Sequence, residues 1–161
     1  MISGDRAAAS VFVAVTPEDA FDVFTREIDM WWGHGPRFRI GGRSPGQLFF
    51  EPKADGRVFF TVKDRTNEME RVTAWEPPKR LELEWRNVNF APGEKTFVEV
   101  TFTPLGDGTM VRVEHRGFST LPTGHPARHG TEGAAFSRMM GMWWGELLTS
   151  LREHVVARRQ T

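Results

Sequence analysis

Cysteine and tyrosine are both absent from this chain of 161 residues. Without thiols there can be no disulfide, no thiolate nucleophile and no thiolate metal site, and the composition fits a reducing compartment. Without tyrosine the aromatic set is 13 Phe and 6 Trp, rings chosen for bulk and apolar surface more than for hydrogen bonding. Net charge is missing too: 21 Lys and Arg balance 21 Asp and Glu, so no global field draws the protein to nucleic acid or to an anionic membrane. No apolar run approaches the ~20 residues that span a bilayer. Met1-Ile2-Ser3-Gly4-Asp5-Arg6 offers neither an apolar core of signal-peptide length nor a small-residue cleavage site. These absences predict a soluble, cytoplasmic protein with no nucleic-acid and no membrane partner.

What is present reads as one domain over residues 1–161, long enough that folding removes roughly 68–70% of the unfolded surface from water. Val11 to Val15 is a short β-branched run. Thr16-Pro17-Glu18-Asp19 then supplies an N-cap, a proline at the first helical position and acids in the first turn. Ala20, Phe21, Phe24 and Ile28 recur at helical spacing before Trp31-Trp32-Gly33 ends the helix, with a short helical turn near Trp31. The Gly- and Pro-rich stretch from Gly33 to Gly46 reads as a loop. From Gly46 the period becomes two, with strands expected near 47–51, 57–63, 67–76, 80–87, 95–104 and 109–118. Asp55-Gly56 and Asp107-Gly108 are hairpin dipeptides, and Glu76-Pro77-Pro78 cannot continue a paired strand.

Alternation assigns faces. Leu81, Leu83 and Trp85 share one side, as do Val98, Val100 and Phe102, and Val111, Val113 and His115, while Glu82, Glu84, Glu99, Arg112 and Glu114 take the other. An antiparallel sheet with one wet and one covered face follows. Its cover is the segment from about Thr131 to Ala157, where Phe136, Met139, Met140, Trp143, Leu147, Leu151 and Val155 keep a helical period. Ser137, Gly141, Gly145 and Thr149 form a stripe of small residues on that helix, which either eases packing on the sheet or admits a ligand. Thr120 to Gly130 is a polar connection.

Few residues combine into a catalytic pattern. His125 and His129 have a spacing that grips zinc on a helix, but Pro126 and Gly130 argue against one, so no metal is expected. No Gly-x-Ser-x-Gly elbow and no phosphate loop occur, and neither covalent catalysis nor any cofactor is indicated. Glu82 and Glu84 fall on the wet face, which does not suit a glycosidase pair. Arg152, Arg158 and Arg159 oppose the dipole of the final helix. His115, on the covered face, either bonds a ligand, moves protons or is satisfied inside the core.

The order of elements resembles the START-like superfamily, also seen in plant pollen allergens and polyketide cyclases. Val72-Thr73-Ala74-Trp75-Glu76-Pro77-Pro78-Lys79-Arg80-Leu81 resembles the strand-turn-strand of bacterial proteins similar to the C-terminal domain of the activator of the Hsp90 ATPase. Ala20-Phe21-Asp22-Val23-Phe24-Thr25 with Trp31-Trp32, Phe102-Thr103-Pro104 through Gly108-Thr109, and Glu114-His115-Arg116-Gly117-Phe118 agree with it. The resemblance implies an α+β helix-grip fold: a seven-stranded antiparallel sheet curled around a long C-terminal helix, with two short helices after the first strand. It also implies an internal apolar cavity holding a small hydrophobic or aromatic molecule, in a carrier or sensor role. Trp31, Trp32, Phe38, Phe49, Phe60, Trp85, His115, Met139, Met140 and Trp143 are the residues expected to border it, with Arg37, Arg39 or His115 orienting the guest. Two alternatives stay open: an enzyme of the cyclase, aromatase or hydrolase kind with His115 moving protons, and an interaction module with a chaperone partner. Self-association into a homodimer is compatible with all three.

Overall fold

The structure, a computed structural model, describes residues 6–32, 47–62, 65–85, 93–118 and 133–159. The chain runs β1 (Arg6–Val13), α1 (Pro17–Arg26), α2 (Ile28–Trp31), β2 (Gln47–Phe50), β3 (Arg57–Val62), β4 (Arg65–Glu76), β5 (Arg80–Trp85), β6 (Thr96–Leu105), β7 (Gly108–Arg116) and α3 (Gly133–Arg159). The strands form one seven-stranded sheet in the order β1-β7-β6-β5-β4-β3-β2, antiparallel throughout. This is the expected helix-grip arrangement of curled sheet and long final helix. No described helix is long and apolar enough to cross a membrane.

Local chemistry sets the boundaries. The Thr16 hydroxyl oxygen accepts a hydrogen bond from the Asp19 N–H at 3.2 Å, so α1 starts where its cap stands, with Pro17 following. Glu27, at φ −108° and ψ 25°, breaks the helical path and separates α1 from the single turn of α2. β1 begins at Arg6, ahead of the β-branched run, because Ala7, Ala8, Ala9 and Ser10 pair with β7 despite their weak strand propensity. Their small side chains suit their neighbour, for α3 packs on β1 and the Gly141 backbone sits against the Ala8 carbonyl.

The β6–β7 hairpin turns one residue earlier than its dipeptide suggests. Leu105 pairs with Gly108, leaving Gly106 and Asp107 at the tip, and Gly106 takes the positive φ of 56°. Gly108 is needed for a different reason: a Cβ there would stand 2.3 Å from the Val13 carbonyl oxygen and 2.6 Å from Cζ of Phe12.

The buried face is the one alternation assigned. Leu81, Leu83, Trp85, Val98, Val100, Phe102, Val111, Val113 and His115 are all buried. On the outer face Glu82, Glu99 and Glu114 stand directly opposite one another across β5, β6 and β7, a row of like charges that alone would repel. Arginines relieve it. Arg80 bonds Glu99 at 2.5 Å and Glu76 at 2.9 Å, Arg116 bonds Glu82 at 2.6 Å, and Arg6 and Arg112 flank Glu114. Burial pushes the Glu82 carboxyl up, but hydrogen bonds from Arg116 and Thr73 outweigh it and hold the group below the usual carboxylate range.

Two glycines should answer oppositely to alanine. Gly108→Ala is expected to lower stability by about 3 kcal/mol through overpacking against β1. Gly145→Ala, where a Cβ meets nothing within 4 Å in mid-helix, should raise it by up to about 1 kcal/mol. Urea unfolding midpoints measure both, and a neutral Gly108→Ala would contradict the packing described.

Candidate functional site

Aromatic rings line the inner face in a continuous path. Trp75 meets Phe21 edge-on at 4.9 Å, and Phe21 and Phe24 both touch Phe102, at 5.0 and 5.8 Å. Phe24 leads to Trp31 at 4.9 Å and Trp31 to Trp32 at 5.6 Å. Trp32 is the hub. It stacks on Trp85 at 5.8 Å with the planes 29° apart, and meets Trp143 and Trp144 edge-on at 6.0 and 5.8 Å. Such pairs contribute about 0.5–1.5 kcal/mol each beyond the area they bury.

His115 closes this path from β7. Its ring lies 5.3 Å from Trp85, 5.9 Å from Trp144 and 4.4 Å from Phe118, and the side chain is fully buried. An indole N–H can only donate, so the contact of 3.2 Å from Trp144 Nε1 makes His115 Nδ1 an acceptor. The ring proton therefore sits on Nε2 and is donated to Thr96 Oγ1 at 2.7 Å, while the Thr96 hydroxyl turns toward the Trp85 carbonyl. Both nitrogens are engaged. Burial pushes the imidazole down to about 3, so it stays neutral at physiological pH.

Of the residues expected at the site, the fold brings Trp31, Trp32, Trp85, His115 and Trp143 together. Met140 is buried beside Ala7 and Phe118, and half-buried Met139 and Trp143 pack on that group. Phe60 is buried in the main core. Phe49 is not part of the group: Leu48 and Phe50 turn inward, and Phe49 lies on the outer face, 38% exposed and stacked on Phe59 at 5.2 Å. Phe38, Arg37, Arg39, His125 and His129 lie outside the described residues.

Sequence reasoning missed Trp144, Leu148 and Phe118, all buried. Among the described residues the buried positions of α3 are Met140, Trp144, Leu147, Leu148, Leu151 and Val155; the expected Met140, Leu147, Leu151 and Val155 are among them, while Trp144 and Leu148 lie deeper than the expected Met139 and Trp143. The i, i+4 pair of Trp144 and Leu148 was the signal for it. As for the small-residue stripe, Gly141 serves packing on β1, whereas Gly145 and Thr149 line an open groove of about 580 Å3 between β1 and α3. Ser10, Met142, Glu146, Ser150 and Glu153 complete its walls.

The sequence model of the family described as Activator of Hsp90 ATPase homolog 1-like protein matches residues 12–155. The chain belongs to this family. Solved structures similar to this member include protein MLL2253 of Mesorhizobium loti, 20% identical with a TM-score of 0.65 over 95% of this chain and 97% of that one. PFC0360w, an HSP90 activator from Plasmodium falciparum, is 16% identical with a TM-score of 0.62 over 94% and 96%. The Aha1 dimer from Colwellia psychrerythraea is 14% identical with a TM-score of 0.63 over 93% and 95%. At these identities the likeness establishes the fold. A search of curated proteins found none that matches the chain.

The buried imidazole gives this family member a pH signature. Between its ordinary value of 6.5 and the lowered value of about 3, the unfolded chain carries a proton on His115 that the folded chain refuses. Stability from this group is complete above pH 6.5 and falls on acidification, by about 1.4 kcal/mol per pH unit across most of that window. Glu82, held low, adds its own loss only below its ordinary value of 4.5. Urea midpoints at pH 7.5, 6 and 5 should fall steeply for the wild type and much less for His115→Gln, which keeps an acceptor and a donor; equal slopes would contradict the neutral, buried ring.

Proposed function

We propose that the protein holds a small hydrophobic or aromatic molecule against the aromatic cluster beneath α3, as a carrier or sensor. The observation that carries this reading is the state of the cluster's edge. Trp32, Trp85 and Trp144 are buried, whereas Trp143, which meets all three edge-on, is only half-buried. A guest laid there would remove apolar surface from water at roughly 25 cal/mol per Å2. Indole faces recognise flat apolar molecules without needing a defined polar partner. Family membership supports the same reading.

The geometry does not favour His115 as a general acid or base. Both its nitrogens are spoken for by Trp144 and Thr96, and a group pushed down to about 3 has little capacity to take a proton at neutral pH. In this reading His115 holds Trp144 in place and the guest makes its contacts with the indoles. A second reading, contact with a chaperone or with another copy of the chain, has one observation behind it. Phe49 and Phe59 stack on the outer face with the Arg57 guanidinium 5.2 Å over the Phe59 ring, an aromatic pair left partly open to solvent.

Titration with the neutral dye N-phenyl-1-naphthylamine, followed by fluorescence and checked by native mass spectrometry, tests the first reading. Saturable one-to-one binding is expected, weakened about tenfold, or ~1.4 kcal/mol, by Trp143→Ala and unchanged by Phe49→Ala. Absence of saturable binding, or a Trp143→Ala variant that binds as the wild type does, would sink it. Sedimentation of wild type and Phe49→Ala over a concentration series tests the second.

A further inference from the structure

A helix of four residues cannot maintain itself, since isolated helices shorter than ~12–15 residues are marginal in water. The place of α2 is therefore imposed by side chains on other elements. On α3, Ser150, His154 and Arg158 recur at i, i+4 and i+8 and share one face. The Ser150 hydroxyl donates to the carbonyl of Trp31, the last residue of α2, at 2.6 Å. His154 Nε2 lies 2.8 Å and Arg158 Nε 3.2 Å from Oε1 of Glu27, the residue just before α2. Successive turns of α3 thus grip both ends of α2, and one turn's rise of about 5.4 Å matches the ~6 Å length of four helical residues. Two further bonds complete the hold. The Leu48 N–H donates to Asp29 Oδ1 at 2.9 Å, and the Trp31 indole N–H donates to the Val23 carbonyl at 3.1 Å. Trp32, the hub of the aromatic cluster, follows α2 immediately.

We infer that Ser150 and Glu27 are positioning residues for the aromatic cluster: by fixing α2 on α3 they set where the Trp32 ring stands, and with it the wall that a guest meets. The binding consequence rests on the ligand-holding reading above, whereas the placement of Trp32 can be read without any guest. Ser150 is suited to this because a hydroxyl on a neighbouring helix supplies a donor to a terminal carbonyl that α2 itself cannot satisfy.

The test uses the full chain as Ser150→Ala, Ser150→Thr and Glu27→Ala, with Val72→Ala as a variant that loses core packing on β4 and leaves the hydrogen bonds and ion pairs that hold α2 in place. Close indoles give an exciton band in circular dichroism that reports the ring geometry of the tryptophan cluster, at whose centre Trp32 stands. Ser150→Ala and Glu27→Ala should each lose much of that band and weaken N-phenyl-1-naphthylamine binding about five- to tenfold. Ser150→Thr, which keeps the hydroxyl, should restore both, and Val72→Ala should lower the melting temperature while leaving both near wild type. The inference is overturned if Ser150→Ala and Glu27→Ala lose stability yet keep the band and the dye affinity, or if Val72→Ala moves both as far. Should the wild type not bind the dye, the ligand reading fails, and the circular-dichroism comparison alone decides the positioning role.

Discussion

A buried indole N–H must donate to something, and much of the interior is arranged around how Trp144 does so. Its acceptor, His115 Nδ1, comes from the opposite layer, so one hydrogen bond ties the long helix to β7 at a fixed height and rotation. Thr96 on β6 extends the tie across a second strand. A single such bond contributes only about 0.5–1.5 kcal/mol net, but removing one partner strands a polar group in an apolar interior at about 1–3 kcal/mol. The pair therefore specifies one arrangement of rings more than it strengthens the fold. The edge-on approach of Trp144 to Trp32 and Trp85 follows from it.

The two faces of the sheet divide the work between charge and bulk. On the outside, glutamates facing one another on three strands are reconciled by arginines reaching in from neighbouring positions, a network whose members sit in partial shelter. Exposed single pairs of this kind contribute little, and the value of the network is that it relieves the repulsion of the facing glutamates. On the inside, the buried polar side chains among the described residues are Thr25, Thr96, Thr109 and His115, each with a hydrogen-bond partner. Ser137 Oγ, on half-buried Ser137 of α3, is the buried side-chain polar atom among the described residues that lacks one.

How much of this was legible in the sequence depended on where one face was wet. In β5, β6 and β7 most residues between the buried ones are charged or polar, so Leu81, Leu83, Trp85, Val98, Val100, Phe102, Val111, Val113 and His115 could be named as buried. In β2 three apolar residues stand together, Leu48, Phe49 and Phe50, and only pairing with β3, whose Val58 and Phe60 turn inward, decides which faces the core. Adjacent tryptophans blurred one turn of α3 in the same way: Met140, Leu147, Leu151 and Val155 were read correctly as buried, but of Trp143 and Trp144 the sequence pattern favoured the half-buried one. β1 was read short because alanines carry no strand signal, although their smallness is what lets the glycine-bearing face of α3 approach. The partners of His115 were out of reach altogether, since Thr96 and Trp144 are brought to it by the sheet and by the last helix.

Placing β1 at one edge and β2 at the other has a kinetic side. β1 finds its sheet neighbour only in β7, the last strand of the sheet along the chain, with Arg6 opposite Arg116 and Val13 opposite Thr109. Loop-closure entropy on that scale must be met before the contact returns any stabilisation, which slows folding relative to a chain of local hairpins. The helices α1 and α2 have β6 and β2 to pack on without β7, so it is β1, and the seat of α3 upon it, that waits for the contact of longest range.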